Sequence, residues 1–109
     1  MRIGIDIQDA SRFEKLVGTK KMQKMFTKSE LSYIGSKNNS LDTIAGLYCA
    51  KEAFFKALGT GILHNQLCKV EVLHDVAGAP YINTDLTDKP ITLSISHTKQ
   101  TAVAVCIIG

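Results

Sequence analysis

The chain has no apolar run long enough to span a bilayer, which excludes a membrane-crossing helix as its way of working. With 45% hydrophobic and 21% charged residues it also lacks the charge excess and apolar poverty that keep a chain disordered. Internal repeats and low-complexity tracts are absent, which argues against a solenoid or a linker between two units. A single domain covering 1–109, with one modest core, is therefore expected of these 109 residues. Cysteine is scarce. Cys49, Cys68 and Cys106 are odd in number, widely spaced and each set in apolar sequence, which argues against a disulfide framework and a zinc cluster and predicts reduced core residues. Met1 to Gln8 alternates where a secretory signal would run apolar, so the cytoplasm is the expected compartment.

What charge there is sits unevenly. The formal net charge is only +3, yet Arg12, Lys15, Lys20, Lys21, Lys24 and Lys28 crowd one short stretch against a single acid, Glu14. Such an excess suits an acidic partner and equally describes a solvated helical face. Nucleic acid is the weaker reading of it, because only Phe13 and Phe26 interleave aromatic surface and no nucleic-acid motif accompanies them.

Periodicity predicts an α+β chain: an N-terminal strand and helices, one long central helix, then a small antiparallel sheet. Residues 2–8 put Ile3, Ile5 and Ile7 on one side of an extended segment and Gly4 and Asp6 on the other, the period of a half-buried strand. From Asp9, Ala10, Phe13 and Leu16 predict a first helix ending at Gly18, and a short basic helix follows around Lys21 to Phe26. Thr27-Lys28-Ser29-Glu30 has the form of a capping box opening a helix of about two turns. After a polar loop, Ser40 or Asp42 caps the longest helical pattern, Leu41 to Leu58, which Gly59 stops. Strands are expected over Lys69–Leu73, Pro80–Ile82, Ile91–Ile95 and Ala102–Ile108.

On the long helix, Ala45, Cys49, Glu52 and Lys56 form one narrow stripe. Small residues beside a carboxylate and an amine leave room for a ligand; the plain alternative is a solvated i,i+4 ion pair. Asp6 joins the stripe only if its strand lies beside the helix, and otherwise reads as an edge or turn residue. Two carboxylates without His or Cys favour a hard, oxygen-preferring ion such as Mg2+. Gly59-Thr60-Gly61 lacks the spacing of a P-loop or a dinucleotide fingerprint, so locally it is a helix stop. Ser94-Ile95-Ser96-His97-Thr98-Lys99 gathers hydroxyls, an imidazole and an ammonium, which is either a set of phosphate donors or a polar hairpin turn.

Four ordered blocks give these segments a common meaning: Gly4-Ile5-Asp6-Ile7 with Arg12-Phe13; Phe26-Thr27-Lys28-Ser29-Glu30-Leu31; Ala45-Gly46 through Ile62, with Lys51-Glu52-Ala53, Lys56-Ala57 and Gly59-Thr60-Gly61-Ile62; and Ser94 to Lys99 running into Ala102-Val103-Ala104. Nearly the whole chain thereby resembles the holo-acyl-carrier-protein synthase family, the small class of phosphopantetheinyl transferases. That resemblance implies transfer of 4'-phosphopantetheine from coenzyme A to a serine of apo acyl carrier protein, in fatty acid biosynthesis. It implies Mg2+ held by Asp6 and Glu52, catalysis by these with Lys56, and coenzyme A contacts from Lys51, Lys56, Gly59, Thr60, Gly61, Ser96, His97 and Thr98. It further implies a homotrimer with sites between subunits, so that His97 serves its own or a neighbour's site. Arg12, Lys15, Lys20, Lys21 and Lys24 become the surface offered to the acidic carrier protein.

Three departures from the family pattern stand out. Leu47 occupies a position where the family commonly has Arg, Gln8 stands where the larger class of these transferases often carries a further acid, and the segment from Asn83 to Pro90 is short for the usual helix there. The first leaves room for a module that binds coenzyme A without turning it over. The second favours two protein carboxylates over three.

Overall fold

The computed structural model describes residues 1–62 and 64–109, with His64 described by its backbone alone. Its elements run in the order strand β1 (Arg2–Asp9), a 3-10 turn (Ala10–Phe13), helices α1 (Lys20–Met25), α2 (Lys28–Ser36) and α3 (Leu41–Leu58), a second 3-10 turn (His64–Lys69), then strands β2 (Glu71–His74), β3 (Pro80–Asn83), β4 (Ile91–His97) and β5 (Thr101–Ile108). The α+β expectation is met.

Helix α3 organises the rest. Asp42 lies in its first turn and Lys56 in its last, each complementing the helix dipole. Gly59 ends it at φ 92°, a left-handed conformation that costs glycine nothing, and its N–H reaches back to the Phe55 and Lys56 carbonyls. Ser40 holds the N-cap position without a side-chain bond to the backbone; its hydroxyl meets that of Thr43 at 2.6 Å. Every residue from Ile44 to Lys51 is buried, as are Ala53, Phe54, Phe55 and Ala57. A helix apolar on so many sides belongs in a core.

One face of α3 lies on a three-stranded antiparallel sheet of order β1-β5-β4. The sheet's inner face carries Gly4, Asp6 and Gln8 from β1 and Ala102, Ala104, Cys106 and Ile108 from β5. Contact is so close that a Cβ on Gly4 would sit 2.0 Å from the Ala53 carbonyl oxygen. Glycine is thus required at this position by approach, not by dihedral. The half-buried period of β1 is present, but the side turned inward is the one holding Asp6. Ile3, Ile5 and Ile7 remain 68%, 59% and 65% exposed on the outer face. They stand opposite Ile107, Val105 and Val103 in the β1–β5 register.

Several expectations need correction. The helix read from Ala10, Phe13 and Leu16 is a single 3-10 turn followed by looser turns, bonded i to i−3 through Glu14, Leu16 and Thr19. The short basic helix starts at Lys20, because Thr19 caps it by accepting the Met22 N–H. The second half forms not one sheet but the β4–β5 hairpin, completed by β1, and a separate two-stranded β2–β3 ribbon. Cys68 is exposed, its thiol donating to the Lys24 carbonyl, so only Cys49 and Cys106 are core residues. The capping box is as expected: Thr27 accepts from the Glu30 N–H and the Glu30 carboxylate accepts from the Thr27 N–H.

Candidate active site

Asp6 is delivered by the inward parity of β1, and Glu52 and Lys56 by the stripe of α3 that crosses it. The contact the sequence could not show is made. Lys56 Nζ lies 3.3 Å from Asp6 Oδ1 and donates to the Ile5 carbonyl at 3.0 Å. Asp6 is 6% exposed and Lys56 53%, so the pair sits at a mouth, carboxylate inside and ammonium at the rim. Between the carboxylates lies Gln8, whose Nε2 donates to Asp6 Oδ2 at 2.9 Å and to Glu52 Oε2 at 2.7 Å. Its Oε1 accepts from Arg12 Nη1. The guanidinium carbon of Arg12 stands 5.2 Å from the ring centroids of both Phe13 and Tyr48.

Burial pushes the Glu52 carboxyl above its ordinary pKa, the neighbouring Asp6 raises it further, and Lys56 and Arg12 oppose the rise. Beneath them, Cys49 donates to the Ala102 carbonyl at 3.3 Å, and burial, then Asp6, raise its thiol pKa well beyond the ordinary range. Cys49 is thereby an inert thiol. Two carboxylates crowded enough to raise one pKa, offering only oxygen, fit a hard divalent cation, which would relieve their repulsion. No group of three or more His, Cys, Asp or Glu is placed to hold a metal ion among the described residues.

The remaining predicted contacts divide. Gly59 and Gly61 have φ of 92° and 68°, and the Thr60 hydroxyl donates to the Gly61 carbonyl, at the end of α3 next to Lys56. Arg2, absent from the sequence reading, donates from Nε to the Ala57 carbonyl at 2.8 Å, and its guanidinium lies over Gly59. Lys51 points the other way and is withdrawn from the phosphate contacts. Fully buried, its ammonium donates to Glu30 Oε1 at 2.7 Å and to the Leu67 and Val70 carbonyls at 2.8 Å each. That uses all three of its donors.

His97 sits near the opposite end of α3, its Nδ1 2.9 Å from Asp42 Oδ2. Fourteen residues separate Asp42 from Lys56, about 21 Å along the helix. Ser96 is exposed on the outer sheet face, and the Thr98 hydroxyl is spent accepting the Gln100 and Thr101 N–H groups of the hairpin turn. Beside His97 opens a cleft of about 160 Å³, walled by Gly46, Leu47, Pro80, Ile95 and the stacked rings of Tyr33 and His74, 3.9 Å apart. Hence one chain brings Asp6, Glu52 and Lys56 together and leaves His97 elsewhere. Lys15, Lys20, Lys21 and Lys24 are exposed. Lys21, Lys24 and Arg12 ring a groove of about 520 Å³ floored by Met25, Tyr48 and Leu67.

A long helix laid on a small antiparallel sheet, with an acidic pair at their junction and a basic groove beside it, defines a small enzyme for phosphate-bearing substrates. The model of the 4'-phosphopantetheinyl transferase superfamily matches residues 2–107. A holo-[acyl-carrier-protein] synthase of Finegoldia magna is 43% identical over 111 residues, covering 99% of this chain and 95% of the relative. Another from Halothermothrix orenii is 38% identical over 96% of this chain and 94% of its own. Among solved structures, the Bacillus anthracis holo-(acyl-carrier-protein) synthase in complex with CoA (3',5'-ADP) superimposes with a TM-score of 0.88 at 37% identity, covering 98% of this chain and 94% of that one. The Helicobacter pylori synthase in complex with coenzyme A gives 0.84 at 30%, covering 98% and 99%. The chain belongs to the 4'-phosphopantetheinyl transferase superfamily.

Proposed function

We propose that the chain transfers 4'-phosphopantetheine from coenzyme A to a serine of apo acyl carrier protein, releasing adenosine 3',5'-bisphosphate. The observation that carries this is the convergence of Asp6, Glu52 and Lys56 on one mouth, in a chain whose relatives over its full length are named for that reaction. Asp6 and Glu52 would hold Mg2+, which would supply charge neutralisation for the coenzyme A pyrophosphate and the departing adenosine bisphosphate. Lys56 adds a cation at the rim. Gly59 to Gly61 offer backbone there, and Arg2 offsets the negative end of α3 that a phosphate would otherwise meet. The serine oxygen forms its bond to the phosphorus bearing pantetheine as that phosphorus parts from the bridging oxygen, which leaves with the electron pair on adenosine bisphosphate; the serine proton passes to a base at the site.

The carrier protein docks on the groove of Arg12, Lys21 and Lys24, with Lys15 and Lys20 beside it, since an apolar floor with a cationic rim suits an acidic helix. Copies of the chain associate through the outer sheet face, as a trimer, because the exposed Ile3, Ile5 and Ile7, beside the half-buried Val103, Val105 and Ile107, form an apolar patch suited to an interface. A neighbour could then supply the His97 cleft to the Lys56 mouth, joining the two half-sites that one chain keeps apart. Its free cysteines support the reading of a reducing compartment, which we propose is the cytoplasm.

The test is incubation with coenzyme A, Mg2+ and apo carrier protein, read by mass spectrometry of the carrier. A gain of one phosphopantetheine is expected. Tight coenzyme A binding with no release of adenosine 3',5'-bisphosphate would establish instead the non-catalytic module that Leu47 suggests.

A further inference from the structure

Gln8 is more than a spacer between Asp6 and Glu52. Standing two residues after Asp6 on β1, it shares the inward face, is 9% exposed and has both amide hydrogens engaged, one on each carboxylate. Which way its amide points follows from chemistry. Arg12 can only donate and the two carboxylates can only accept, so turning the amide over would set NH2 against guanidinium and oxygen against two anions. Arg12 is itself held between Phe13 and Tyr48, both nearly fully buried. The amide nitrogen is therefore locked toward the acidic pair.

We propose that the Gln8 carboxamide is a displaceable clasp on the carboxylate pair: it holds Asp6 and Glu52 together in the cation-free protein and competes with the divalent cation for them, setting the ion affinity of the site. This rests on the cation reading of Asp6 and Glu52 given above. Asp6 Oδ1 already faces Lys56 Nζ, so a cation shared by the two carboxylates would compete with the amide hydrogens for lone pairs on Asp6 Oδ2 and Glu52 Oε2. An N–H group cannot coordinate a cation, so the amide would give up each oxygen that the ion takes. Losing hydrogen bonds to charged acceptors weakens ion binding. Removing the amide would also leave the carboxylates repelling each other until an ion arrives, which acts in the same direction.

The variant Gln8→Met keeps the length and volume of the side chain and removes both donors. Binding is measured on the full chain without nucleotide by titrating Mn2+ and following the resonance of the free ion. Gln8→Met is expected to bind about tenfold more tightly than wild type. It should also melt at lower temperature without metal, the gap closing at saturating Mn2+. Weaker binding by Gln8→Met would overturn the clasp and make the amide oxygen a ligand. Equal binding would overturn it and make Gln8 a bystander. Absence of ion binding by both proteins would sink the cation reading itself, and the clasp with it. Gln8→Leu repeats the titration if Gln8→Met folds poorly.

Discussion

Lys51 Nζ lies 2.7 Å from Glu30 Oε1 with both side chains fully buried, while the next residue, Glu52, turns to the acidic mouth. Adjacent residues on α3 thus serve different sides of the molecule, as a rotation of about 100° per residue requires. Glu30 also accepts from the Thr27 and Val72 N–H groups, so it ties α2, α3 and β2 at one point. Burial pulls the Lys51 pKa down and Glu30 resists that pull, so the ammonium depends on its partner.

Lys51→Met should therefore act on stability and not on coenzyme A. Leaving Glu30 buried without its cation is expected to cost roughly 3–5 kcal/mol, read by denaturant unfolding. The folded fraction should keep the wild-type KM for coenzyme A. A raised KM with unchanged stability would return Lys51 to the phosphate contacts.

Glu52→Gln should separate folding from turnover. The folded pKa of Glu52 is raised, so the folded state binds more protons than the unfolded state between the two pKa values, and cation-free stability falls as pH rises through that window. A carboxamide in its place cannot ionise, so the variant should lose this slope and melt no lower than wild type at neutral pH without metal. Turnover should be undetectable, and Mg2+ should no longer shift the melting temperature. A large destabilisation at neutral pH would mark Glu52 as structural.

Gly4→Ala should break the junction from behind. A methyl group there meets the Ala53 carbonyl oxygen and the Ala57 nitrogen, both backbone, so α3 must move off β1. The expected cost is about 1–3 kcal/mol of overpacking, with a fall in kcat because Asp6 lies two residues along the same strand face. Wild-type stability and kcat together would show that α3 yields freely.

These outcomes follow the line between what local sequence could and could not specify. Helix α3, its Gly59 stop and the Thr27–Glu30 capping box are readable because their signals lie within a few residues. The inward turn of Asp6 is not, because the isoleucine side of β1 is the more apolar and only the close approach of α3 at Gly4 selects the other. Nor is the burial of Lys51, whose partner lies 21 residues away. Gln8 was readable in part: its parity with Asp6 on a strand places both on one face, although its bond to Glu52 spans 44 residues.

The basic groove should discriminate carriers by charge. With Lys21→Glu and Lys24→Glu combined, the cationic rim beside Met25 and Leu67 reverses sign while the carboxylate pair is untouched. KM for the carrier protein is expected to rise on the order of tenfold or more, with kcat and coenzyme A binding nearly unchanged. The wild-type KM should climb with salt and the variant's should not. Equal KM values would move the carrier's docking surface elsewhere.

Ile5→Lys tests whether the outer sheet face is covered by a second copy. Ile5 is 59% exposed and stands opposite Val105, at the centre of the patch running from Ile3 to Ile7. A single subunit should tolerate lysine there, since the side chain points away from α3, so the melting transition should remain cooperative. In an assembly the same lysine would be an unpaired charge inside an apolar contact, which costs several kcal/mol per site. Sedimentation should then show trimer for wild type and monomer for the variant. Activity should fall with assembly, because Lys56 and His97 lie at opposite ends of α3 and, in the proposed trimer, would complete a site only between subunits. A monomeric variant with full activity would show instead that Asp6, Glu52 and Lys56 suffice within one chain, and that the His97 cleft has no part in transfer.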